Sequence, residues 1–153
     1  MLDILTPLSK LTRVSRSVSD MSTFVAAPGI WGEIQSDGSI ANVTTASVVA
    51  LPKMIISSAS DSIYESNDVE VGRVATMESP GARCKVDTDC YITTNVAQGT
   101  YLVVGTGAGH EGKLIALPAA PPATYIVVAR CEQVSGTDWM IYETVSPRPV
   151  VVS

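Results

Sequence analysis

The sequence predicts a mainly β protein: a single small β-sandwich or β-barrel-like domain, residues 29–153, preceded by an N-terminal arm, residues 1–28. Three observations carry that expectation. Short runs alternate apolar and polar residues with period two. Glycine and proline punctuate the chain so that candidate strands recur about every 8–12 residues. Helical periodicity is confined to the leader.

In the leader, Ile4, Leu8, Leu11, Val14 and Val18 recur at steps of three and four, one stripe of a helix. Pro7 interrupts that stripe, and the intervening serines and threonines are poor helix formers, so an extended arm and a partly helical arm both remain open. From Gly29 the text is β. Residues 30–34 and 40–43 flank Ser36-Asp-Gly-Ser39, a hairpin signal because glycine accepts positive φ at the turn. Residues 46–51 and 54–56 are β-branched runs split by Pro52, which lacks a ladder donor and marks an edge or a bend. Residues 69–71 alternate until Gly72-Arg73 shifts the phase before Val74, as a β-bulge does. Residues 82–87 alternate cleanly, apolar in and charged out. Residues 101–104 and 113–117 stand either side of a glycine-rich turn, 105–112. Residues 125–134 and 139–145 face each other across Ser135-Gly-Thr-Asp138, the second hairpin, and Pro147 and Pro149 stiffen the tail 150–152.

Composition narrows the function classes. Hydrophobic residues make up 46% and charged residues 16% of 153, too apolar for disorder and too poor in charge for a coiled coil. The length suits one domain that buries about 70% of its unfolded surface without a metal or disulfide staple. A formal charge of −5 argues against a duplex nucleic-acid partner. No apolar run approaches the roughly 20 residues that span a bilayer, and the opening residues lack the pattern of a secretory signal. Charge is uneven: within residues 1–19, Lys10, Arg13 and Arg16 face only Asp3, whereas acids outnumber bases in the remainder. A basic leader on an acidic body suggests that the two meet different surfaces.

The motifs that could carry chemistry lose their context on inspection. Gly107-Ala-Gly-His-Glu-Gly112 fits the dinucleotide-loop spacing after a strand, and Glu132 lies where a ribose-binding acid belongs. Such a site needs a helix opening at the last glycine, and Pro118, Pro121 and Pro122 leave no room for one, so a β-turn is expected. Cys84 and Cys90 bracket two acids at a spacing uncommon for zinc. With Cys131 they read as buried free thiols, a Cys84–Cys90 disulfide being the alternative. His110 sits in the glycine stretch with no group to orient it as a base, and reads as a solvent-exposed loop residue. The acid pairs Asp68/Glu70 and Asp87/Asp89 each share a strand face and read as solvated. Asn42-Val-Thr44 fits a glycosylation sequon but carries no weight without a secretory signal. No catalytic residue, metal site or cofactor is expected.

The layout resembles the capsid decoration (cement) proteins of tailed bacteriophages. The resemblance lies in a variable arm leading into Gly32-Glu-Ile-Gln-Ser-Asp-Gly38, then in Pro80-Gly-Ala-Arg-Cys-Lys-Val-Asp-Thr-Asp-Cys-Tyr-Ile92. It continues through Gln98-Gly-Thr-Tyr-Leu-Val-Val-Gly105 with Gly112-Lys-Leu, and closes on Tyr125-Ile-Val-Val-Ala-Arg-Cys-Glu132 and residues 139–145. The proline-rich stretch 118–122 departs from that layout. The resemblance implies a non-enzymatic virion protein on the capsid exterior, assembled in the host cytoplasm, often a homotrimer at three-fold sites, with the major capsid (coat) protein as partner and an arm reaching onto coat subunits. On this sequence the arm contacts would be Leu2, Ile4, Leu5, Leu8 and Leu11, with Lys10, Arg13 and Arg16 steering toward an acidic coat surface. The alternative is a carbohydrate- or receptor-binding β-sandwich module of a tail fibre or spike, which needs exposed aromatics. Aromatic residues are only 5% of the chain.

Overall fold

The computed structural model describes residues 1–19, 27–43, 51–58, 73–119 and 123–152. Among the described residues, eleven strands fall into two antiparallel sheets that pack together as a small β-sandwich. The first sheet contains β1 (Leu2–Ile4), β7 (Arg83–Asp87), β8 (Tyr101–Val104), β9 (Leu114–Ala116), β10 (Ala123–Ser135) and β11 (Trp139–Val152). Its strand order is β1-β7-β11-β10-β8-β9. The second contains β2 (Arg13–Ser17), β3 (Trp31–Ile34), β4 (Ile40–Ala41), β5 (Pro52–Ser58) and β6 (Arg73–Met77), in the order β2-β6-β5-β3-β4.

Local chemistry explains most of these elements. The two expected hairpins form: Gly38 and Gly136 take positive φ (84° and 48°) at the β3–β4 and β10–β11 turns. Pro52 opens β5, where a missing N–H is tolerated. In β7, Cys84 and Val86 point inward while Arg83 is exposed, the expected period of two. Strand β5 is central, and its consecutive Met54 and Ile55 are both fully buried because successive side chains enter opposite faces. Met54 joins the main core; Ile55 joins a second, smaller cluster.

The main core lies between the sheets. Trp31, Met54 and Met77 from one sheet meet Cys84, Leu102, Val128, Met140 and Tyr142 from the other. Each large side chain so buried contributes about 1.5–3 kcal/mol. The Tyr142 hydroxyl donates to the Met54 thioether at 2.8 Å, joining β11 to β5. The smaller cluster of Ile40, Ile55 and Val74, with Val18 and Ile34 against it, belongs to the second sheet alone. That sheet curls, because Val18 just beyond β2 bridges Ile40 of β4, its far edge. The Ser19 N–H donates to the Ile40 carbonyl at 2.9 Å beside this bridge.

The leader departs from the helical stripe of its sequence. Among its described residues the only helical turn is a 3-10 segment, Leu8–Lys10, which follows Pro7 and is closed by the Lys10 N–H on the Pro7 carbonyl at 2.9 Å. Ile4 and Val14, expected on one helical face, lie in strands of different sheets. Strand β1 pairs with β7 and β2 with β6, so over residues 1–19 the leader supplies one edge strand to each sheet. Long-range ladder bonds outweigh a local pattern that proline and the serines already weaken. The runs expected at 46–51 and 69–71 and the bulge at Gly72-Arg73 lie largely or wholly outside the described residues. A bulge is present in β5, between Ile55 and Ser57 opposite β6.

Candidate functional site

The leader is the region that charge pattern and resemblance single out, and its residues divide into three groups. Leu2 and Ile4 lie opposite Val86 and Cys84 and pack, with Leu11, against the main core. Leu5 is 45% exposed while its N–H is tied to the Arg83 carbonyl at 2.8 Å. The Arg83 N–H in turn donates to the Thr6 hydroxyl at 2.8 Å. Leu8 falls in the 3-10 turn. Lys10 and Arg13 are exposed, as are Val14 and Ser15 in β2. An apolar side chain beside two solvated cations, on open strand edges, can engage an extended or acidic partner surface.

Arg16 is different, because the body already engages it. Its guanidinium donates through Nε to Thr76 Oγ1 at 3.1 Å and to Glu78 Oε1 at 3.2 Å. Nη2 reaches the same Oε1 at 2.9 Å, and Nη1 donates to the Gly38 carbonyl at 3.0 Å. The Thr76 hydroxyl donates to Glu78 Oε1 at 2.8 Å, and Lys53 Nζ lies 2.8 Å from Oε2. Burial pushes the Glu78 carboxyl up, but the donors Lys53, Arg16 and Thr76 outweigh it and hold the group below the usual carboxylate range. The result is a hub that ties β2 to β5, β6 and the β3–β4 turn. Sequence reading missed Glu78, Thr76 and Lys53, whose only local signal is the Thr76-x-Glu78 spacing on one strand face.

The other motifs resolve into packing. The 105–112 turn leads into β9 rather than a helix, closed by the His110 N–H on the Gly107 carbonyl at 2.8 Å and the Lys113 N–H on the His110 carbonyl at 3.0 Å. Gly112 has φ +77°, and a Cβ there would lie 2.6 Å from the Trp31 carbonyl oxygen, so close approach accounts for the glycine. His110 is exposed. Cys84, Cys90 and Cys131 are buried free thiols, and burial pushes Cys84 up to about 11. Asp87 accepts the Asp89 N–H at 3.1 Å in a local turn; Asp68 and Glu70 lie outside the described residues. Among the described residues, no three His, Cys, Asp or Glu side chains gather as metal ligands do.

One cleft of about 650 Å³ opens beside β1. Leu2, Pro28 and Ile30 give it apolar walls, and Asn42, Asp89, Glu111 and Lys113 give it a polar rim. Trp31 is buried in the core, and Trp139 is half-buried with the Lys85 ammonium 4.7 Å over its ring. Matched against family models, curated proteins and solved structures, the chain finds no counterpart in any of the three.

Proposed function

We propose that this chain is a non-enzymatic virion structural protein that binds the exterior of a phage head and stabilises it, with the leader contacting coat subunits. The observation that carries the reading is the placement of the leader. It forms an edge strand of each sheet and presents Leu5, Lys10, Arg13 and Val14 to solvent beside those edges. An open strand edge accepts an extended partner segment through main-chain bonds, and the two cations favour an acidic one. Repetition over a shell turns weak single contacts into firm attachment. A homotrimer at three-fold sites belongs to the same reading and rests on the resemblance. The glycan-binding alternative is less favoured: Trp31 is buried, and Lys85 covers the ring of Trp139.

Co-sedimentation with expanded heads from the same phage source tests the proposal. Because Leu2, Ile4 and Leu11 pack on the core, deleting the leader would disturb the body, and surface substitutions are the sharper tool. The full chain is expected to pellet with heads, and the double variant Lys10→Glu/Arg13→Glu to bind at least about tenfold more weakly while remaining folded. Equal binding by that variant would move the contact to another face. No pelleting of the unaltered chain would remove the decoration reading.

A further inference from the structure

Three motifs that stand apart in the sequence meet at the cleft beside β1. Asp89, of the second acid pair, and Cys90, of the cysteine pair, come from the turn that follows β7. Glu111 and Lys113 come from the glycine-rich turn between β8 and β9. Leu2, Pro28 and Ile30 supply apolar walls between them. The main chain holds these walls in place. The Gly29 N–H donates to the Ile55 carbonyl at 2.8 Å, and the Ile55 N–H to the Ile30 carbonyl at 2.9 Å. The Trp31 N–H donates to the Gly112 carbonyl at 2.8 Å, and the Leu114 N–H to the Cys90 carbonyl at 3.0 Å. Gly29 passes so close to the β7 turn that a Cβ there would lie 2.6 Å from Cys90 Sγ. The cleft is therefore pre-formed, and a ligand entering it orders little new chain. Its volume of about 650 Å³ lies inside the range of about 300–1,000 Å³ usual for small-molecule sites.

The rim carries a sign. Asp89 and Glu111 are exposed and Lys113 is half-buried, while the Met1 α-ammonium is held by Asp87 at 2.8 Å. Among the described residues, two carboxylates thus stand against one ammonium at the mouth. We propose that the cleft binds a small amphipathic cation, its hydrocarbon body against Leu2, Pro28 and Ile30 and its ammonium head at Asp89 and Glu111. Burial of the body supplies the affinity, and the rim acids select the charge of the head. The site does not rest on the decoration reading, because neither head binding nor the leader's cations enter it.

Three probes offered to the full chain test this, followed by calorimetry and by the methyl signals of Leu2 and Ile30. n-Octylammonium is expected to bind one to one, to shift those methyl signals, and to bind about fivefold or more tightly than octanoate. Methylammonium, a head without a body, is expected to show no binding. Asp89→Asn/Glu111→Gln, altered only at exposed rim side chains, is expected to lose the preference for the cation. Octanoate bound as tightly as octylammonium, or more so, overturns the cationic class. No binding of octylammonium, or shifts that spare Leu2 and Ile30, overturns the site. A preference that survives the double variant removes the head from Asp89 and Glu111. The comparison of octylammonium with octanoate needs no altered chain, so a variant that fails to fold leaves the proposal open to refutation.

Discussion

Glu78 concentrates much of the molecule's buried polar chemistry in one carboxylate. It faces Arg16 from β2, Lys53 from β5 and Thr76 from β6, and it stays ionised because those donors outweigh the cost of its burial. A carboxyl held below its unfolded value stabilises the fold above that value, and loses the contribution as pH falls through the folded one. The unaltered chain is therefore expected to lose resistance to urea as pH drops below about 4. Glu78→Gln should be less stable at neutral pH, with a shallower acid loss. Asp37, which accepts from the Ser39 N–H and hydroxyl, is also depressed and adds its own slope in both chains. The difference between the two urea-midpoint curves isolates Glu78, and parallel curves would show that the hub adds nothing. A thiol such as Cys84, pushed up by burial, contributes no charge over that range.

Among the elements, the β10–β11 hairpin is the longest, and its far half is guarded. Pairing of β11 with β7 stops at Glu143, and beyond it Pro147 and Pro149 stand two residues apart, on the same edge of the strand. Neither offers a donor to an approaching strand. Pro147→Val/Pro149→Val is expected to self-associate, with larger species in sedimentation velocity than the unaltered chain forms. An unchanged size distribution would mean that the edge is protected by other means. The turns of both hairpins were legible, because Ser36-Asp-Gly-Ser39 and Ser135-Gly-Thr-Asp138 need positive φ at known positions. So was β7, whose inward face includes Cys84 and Val86. The leader strands were not. Their partners at 73–77 and 83–87 lie far along the chain, and only three-dimensional pairing outweighs the local helical spacing. The Arg16–Glu78 hub was hidden for the same reason, since it draws on residues 16, 38, 53, 76 and 78. Lys10 and Arg13 are exposed, whereas Arg16 is held by the body.

At the scale of the whole molecule, one core serves both sheets. Trp31 in β3 and Trp139 in β11 report on different sheets, while Met54 and Tyr142 join them across the interface. A shared core predicts one cooperative transition. The single-tryptophan variants Trp31→Phe and Trp139→Phe should therefore follow emission curves with the same midpoint as circular dichroism of each chain. Two separated midpoints within one variant would show that the sheets unfold independently. The leader's pairing also has a consequence for synthesis. Leu2–Ile4 leave the ribosome well before their ladder partner, which ends at Asp87. Adding the intervening residues takes on the order of 4–16 s at ordinary translation rates. Over that interval Leu2 and Ile4 travel on the nascent chain without the strand that will cover them. A strand made early thus waits for a partner made much later, and the growing chain carries an uncovered apolar segment until translation passes β7.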